Sequence, residues 1–180
     1  MNFIKTQIEK SFKQRKLICV CINKIEWNKR IIGYVRNIHK TEKFEIEIID
    51  EFGQFKNFRT VLFSSVKSLE IDGIYNDNLE KLNKKGFKKD SSIAKYFPSK
   101  KYDLNKKLSE LKEAKTLCTF FFDTEFSIGM VEKITQDELI ISNIAYDGTN
   151  DGTSLFNIRF LTKIRYGSNL ERRITFLRKT

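Results

Sequence analysis

The chain has 180 residues, with 34 Lys+Arg against 23 Asp+Glu and a formal net charge of +11. That length suits one ordinary domain or two small ones, and 40% apolar residues with 16 Phe supply enough core material to exclude wholesale disorder. No apolar run approaches the roughly 18 residues that cross a bilayer, the start MNFIKTQIEKSFKQRK is charged throughout, and three cysteines make no disulfide framework. The expectation is a cytoplasmic protein with no membrane partner.

In chain order, Ile4, Ile8 and Phe12 recur every four residues and predict a helix with one apolar stripe. Residues 17–25 are apolar on both faces of a predicted strand. Strands follow over 31–38, over 44–48 with strict alternation, over 58–63 and over 66–71, with a turn at 50–53. Residues 81–102 hold the only Pro, Pro98, within a Lys-rich stretch that reads as a linker. A second helix is predicted from Leu104, Leu108 and Leu111, with Asp103 at its N-cap. Strands over 117–122, 127–134, 138–144, 154–158 and 161–166 complete the chain, with a turn at 147–152.

These two runs match one another. Ile32-Gly33-Tyr34-Val35 aligns with Ile128-Gly129-Met130-Val131, Ile38 with Ile134, and Ile49 with Ile144 after one extra residue in the first copy. Gly53 aligns with Gly148. Beyond that, Val66-x-x-Leu69 aligns with Ile158-x-x-Leu161 across a shorter loop, and Tyr75 to Leu79 with Tyr166 to Leu170. The division this predicts is a helix and sheet over 1–80, a linker over 81–102, and a helix and sheet over 103–180.

A helix followed by five short strands, with Gly33 and Gly129 in the second strand, resembles the Sm-like and related SH3-like small-barrel superfamily. The resemblance covers residues 2–79 and 103–177. It implies a mainly β (α+β) chain of two tandem five-stranded small barrels, each preceded by an α-helix that plugs an open end. The family's first motif also carries an Asp and an Asn in the next turn, where this chain has His39 to Lys43 and Thr135 to Glu138. Ile164-Arg165-Tyr166-Gly167-Ser168-Asn169 is an altered echo of the second motif, Ile-Arg-Gly followed by Asn.

The charge is concentrated. Residues 81–115 hold twelve lysines and four acids, and residues 1–16 five bases and one acid, while both strand-rich runs are close to neutral. A clustered basic segment interleaved with aromatics is the footprint of nucleic-acid binding. The candidate contacts are Lys84, Lys85, Lys88, Lys89, Lys100 and Lys101 for phosphates, Phe87 and Tyr96 for bases, and Arg165, Arg172 and Arg173 from the second run. Lysine predominates, so the expected partner is RNA or single-stranded DNA bound with little sequence selectivity. The alternative is a protein partner or homo-oligomer joined through exposed strand edges.

Catalytic patterns are sparse. His39 is the only histidine, so no His pair offers itself to a metal. Cys19, Cys21 and Cys118 read as small core residues. Asp147-x-Thr149-x-Asp151-Gly152 starts like a calcium loop, but Ile158 stands where a closing Glu belongs, and a hairpin turn is the simpler reading. The expectation is a binding protein without enzymatic activity, metal or cofactor.

Overall fold

The structure, a computed structural model, describes residues 3–22, 30–91, 93–100 and 103–180. The chain forms two compact units, Met1–Lys88 and Lys89–Thr180. The first runs α1 (Phe3–Gln14), β1 (Leu17–Cys21), β2 (Arg30–His39), β3 (Lys43–Ile49), β4 (Phe55–Leu62), a 3-10 turn (Phe63–Ser65), β5 (Ser68–Ile71) and α2 (Ile74–Lys84). The second runs β6 (Lys95–Pro98), α3 (Leu104–Glu113), β7 (Cys118–Phe122), β8 (Phe126–Ile134), β9 (Glu138–Ile144), β10 (Asn150–Asn157), a 3-10 turn (Ile158–Phe160), β11 (Leu161–Tyr166) and α4 (Asn169–Arg178). Both sheets are antiparallel, in the orders β4-β3-β2-β1-β5 and β10-β9-β8-β7-β11-β6.

Alternation along the strands builds a core on each face of the second sheet. Phe120, Leu139, Ile141 and Ile164 cluster with Leu108 and Leu111 of α3 on one side. Leu117, Ile128 and Ile144 meet Ile174 of α4 on the other. The sheet is thus the middle of three layers. In the first unit Ile8 of α1 joins Ile18, Val20, Phe44, Ile46 and Val61. There α2 packs on β1 and buries Leu79 and Leu82. Ser11, not Phe12, is the buried residue that follows Ile8; Phe12 is exposed. Asp103 occupies the N-cap of α3 without a side-chain capping bond.

The second strand explains Gly33 and Gly129. Each faces the neighbouring strand's backbone so closely that a Cβ would overlap a carbonyl oxygen, of Glu47 at Gly33 and of Ser142 at Gly129. Just beyond each glycine the register shifts, between Val35 and Asn37 and between Val131 and Lys133. One tight approach and one bulge therefore recur at the same place in both units.

Beyond the helices α2 and α4, which the sequence reading did not predict, three features differ from the sequence expectation. Among the described residues neither sheet closes into a barrel. In the first unit the 3-10 turn carries the chain between β4 and β5, the two edges, and buries Phe63 and Val66 instead of pairing those strands. In the second, β6 occupies the free side of β11. Next, residues 81–102 are partly built into the units. Residues 81–84 are the end of α2, Phe87 is buried, and 95–98 form β6, although Ser92, Lys101 and Tyr102 lie outside the described residues, as do 23–25 of the first predicted strand.

The third difference is the alignment of the copies. From Ile49 and Ile144 onward, equivalent positions stay 95 apart. Gly53 and Gly148 share a left-handed φ (73° and 87°), and a Cβ at either would overlap the backbone of the last turn of α2 or α4 respectively. The two 3-10 turns, Leu69 opposite Val20 and Ile164 opposite Phe120, and Leu79 and Ile174 keep that spacing. Val66 therefore corresponds to Leu161, and Leu79 to Ile174 rather than Leu170. The match of Tyr75 to Tyr166 slips by one helical turn.

Candidate nucleic-acid interface

β6 extends the face of the second sheet on which α4 packs. Its pairing with β11 puts Tyr96 opposite Arg165, and β11 in turn places Arg165 opposite Thr119 and Lys163 opposite Phe121. Residues directly opposite share a face. The Lys163 ammonium lies 5.8 Å from the Tyr96 ring centre and 4.6 Å from that of Phe121, and the Arg165 guanidinium lies 5.5 Å from Phe121. Phe121 meets Phe126 at 6.2 Å. Tyr96, Lys163, Phe121 and Phe126 thus form a row across β6, β11, β7 and β8, with Tyr96 56% and Phe126 54% exposed. Lys95, exposed at the start of β6, points to the opposite face from Tyr96, and the exposed Lys100 lies two residues past the end of the strand.

Arg165 is held from below. Glu171 of α4, 2% exposed, accepts from Arg165 Nε at 2.9 Å, Thr119 Oγ1 at 2.6 Å and Ser168 N at 2.8 Å, and pairs with the Ser168 hydroxyl. Arg165 also donates to Thr119 Oγ1 at 3.1 Å. Ser168 and Glu171 form a complete capping box, so one buried carboxylate starts the helix and orients the arginine.

The other predicted contacts scatter. Lys84 ends α2 and pairs with Glu80 at 3.2 Å; Lys85 caps that helix; Lys88, Lys89 and Lys100 are exposed. Lys101 lies outside the described residues. Phe87 is 7% exposed and stacks on Phe52 at 6.2 Å, so it faces the first unit's interior. Arg172 pairs with Asp90, whose backbone is bracketed by Asn169, and Arg173 is half-buried on α4. Of the residues singled out from sequence, the structure brings together Tyr96 and Arg165. Lys163, Phe121 and Phe126 went unnoticed there, because only the register of β6 on β11 makes them neighbours.

The chemistry of the remaining groups is structural. His39 Nε2 sits 3.4 Å from Glu45. The Asp147 carboxylate accepts from the Thr149 amide and hydroxyl and forms the β9–β10 turn. Among the described residues no group of three metal-ligating side chains converges. All three cysteines are buried. Burial, reinforced by the Glu171 carboxylate, pushes the Cys118 thiol up to about 12, and burial pushes Cys19 up to about 11. Below the ordinary value of 9 the folded thiol stays protonated and its contribution to stability is complete; that contribution drains away as pH rises from 9 towards 12. Cys118 should therefore react with a thiol reagent at pH 8 at least a hundredfold more slowly than in unfolded chain, as stopped-flow labelling with and without denaturant will measure.

The first unit lacks this row. Ser68, Glu70, Cys19 and Cys21 stand at the positions of Lys163, Arg165, Thr119 and Phe121. No family model, curated protein or solved structure matches this chain.

Proposed function

We propose that this protein binds single-stranded nucleic acid, RNA or DNA, without catalysis and with little sequence selectivity. The aromatic–cationic row on the second unit carries the reading. Bases stack on Tyr96 and Phe126, while Lys163 and the exposed Lys100 neutralise phosphates, the combination that serves sequence-tolerant single-strand binding. The exposed Lys88 and Lys89 add charge, and buried thiols suit the reducing cytoplasm. In this reading the units are open relatives of the small-barrel superfamily, with the strand order of that plan and its bent, glycine-bearing second strand.

The test is fluorescence anisotropy with single-stranded oligonucleotides over a salt series. Affinity should fall steeply with salt, Lys163→Gln should reduce the log–log slope by about 0.7, and Tyr96→Ala should weaken binding roughly tenfold, within the range for one stacked base. Salt-insensitive or absent binding sinks the reading. A second reading rests on β4, an edge strand with Phe55, Phe58 and Leu62 exposed: a protein partner or second copy would add to that edge. Sedimentation as a monomer at high concentration would count against self-pairing.

A further inference from the structure

The first unit carries its own concentration of cations and rings, at a place where the second unit has none. β4 is the free edge of its sheet, and all its side chains but Val61 are exposed. A groove of about 400 Å³ along it is lined by Arg30, Ile31, Ile48, Lys56, Asn57, Phe58 and Arg59. Three cations and no carboxylate line that stretch. The Arg36 guanidinium lies 4.4 Å from the centre of the Phe58 ring, and Phe55 meets Phe58 at 4.8 Å. An adjoining groove of about 510 Å³ shares Arg30, Ile48 and Lys56 and ends at Asp50, Glu51 and Tyr75. The Asp50 carboxylate there is engaged by the Phe52 and Gln54 amides, and Arg30 also pairs with Glu70 at 3.1 Å.

The equivalents in the second unit, 95 positions on, are Asn150 for Phe55, Asp151 for Lys56, Thr153 for Phe58 and Ser154 for Arg59. The two units have therefore placed cations beside rings on different strands, and net charge per run hides the first cluster behind the acids of β3 and β5.

We propose that the β4 groove is a second, independent contact for single-stranded nucleic acid, so that one chain binds two short strands or two stretches of one long strand. Lys56 and Arg59 on the edge strand meet neighbouring phosphates, and Arg30, two strands in on β2, lines the same groove. The exposed Phe55 ring and the Arg36–Phe58 stack offer surfaces to bases, since an arginine plane accepts a base as an aromatic ring does. The carboxylate-free part of the groove is where a polyanion fits; Asp50 and Glu51 turn it away at the other end.

The proposal rests on the nucleic-acid reading above, and one experiment separates their failures. Native mass spectrometry and titration calorimetry of the full chain with a hexanucleotide should give two bound strands per chain at low salt. Lys56→Gln with Arg59→Gln should leave one, and Tyr96→Ala with Lys163→Gln should also leave one. All four sites lie at exposed positions, so the variants keep their folds, which far-ultraviolet circular dichroism checks. One strand in the wild type, unaffected by the Lys56/Arg59 pair, overturns the second contact and keeps the first. One strand that only the Lys56/Arg59 pair abolishes upholds the β4 groove and overturns the row on β6 and β11. No bound strand overturns both. For a long oligonucleotide, losing either contact should weaken binding on the order of a hundredfold, because the second contact forms at high effective concentration.

Discussion

Gly129→Ala should destabilise the second unit by about 3 kcal/mol, and Gly33→Ala should do the same in the first, at the upper end of what overpacking costs. A methyl group on Gly129 would overlap the Ser142 carbonyl oxygen and come within 2.6 Å of Ile141 Cγ2; on Gly33 it would overlap the Glu47 oxygen and lie 2.8 Å from its carbon. Neither neighbour can yield as a flexible side-chain tip yields, because the atoms in the way are ladder backbone. Relief requires β2 to move from β3, or β8 from β9, within the paired interior of each sheet. In a unit of this size about 3 kcal/mol lowers Tm by roughly 12–24 °C. Thermal melts followed by circular dichroism, with amide exchange read strand by strand, will show it. A Tm within 3 °C of the wild type would mean that the tight approach is not a constraint.

Glu171→Ala should cost the second unit about 3 kcal/mol as well, by a different route. The carboxylate is fully buried and serves four groups: Arg165, Thr119, the Ser168 amide and the Ser168 hydroxyl. Removing it strands a guanidinium whose side chain is only 21% exposed, and it deletes the capping box of α4. Breaking a buried pair by deleting one partner costs about 3–5 kcal/mol, and a lost cap typically about 1. The exposed fraction of Arg165 lowers the pair's share below that range, which brings the total to about 3 kcal/mol. Glu171→Gln keeps an acceptor for the amide and the hydroxyl and should lose about half as much. Equal losses for Ala and Gln would show that charge dominates; no loss for either would remove the network from the account of stability. Arg165 freed from Glu171 should also lose its alignment over Phe121, so affinity for single strands should fall with the Ala variant.

Strands were legible because alternation is a local signal. The periodicity of 44–48 marks a strand that the structure extends by one residue at each end, the apolar run of 117–122 one that it starts a residue later, and Gly33 and Gly129 mark the strand that approaches its neighbour closely. The second helix of each unit was harder. α2 is rich in Asn, a weak helix former, and Tyr75 to Leu79 pairs superficially with Tyr166 to Leu170. Ser168-x-x-Glu171 ahead of Ile174 is the capping-box signature that announces α4, and its placement sets the two copies 95 apart. The candidate interface was half visible: Tyr96 and Arg165 stand out in the sequence, but Lys163 and Phe121 join them only through pairing between segments far apart in the chain. Segment-wise charge concealed Lys56 and Arg59, because a sheet separates on its edges what a sum over residues merges.

β6 has a consequence for how the protein is made. Its partner β11 is synthesised only after β7 to β10. The tyrosine-bearing strand must therefore wait, unzipped, while four others emerge, and such distant closure is slow in proportion to the chain entropy it has to overcome. Lysines around a waiting strand keep it from annealing to its neighbours on the same messenger. The lysine charge around β6 thus acts before the fold is complete, as a guard during birth.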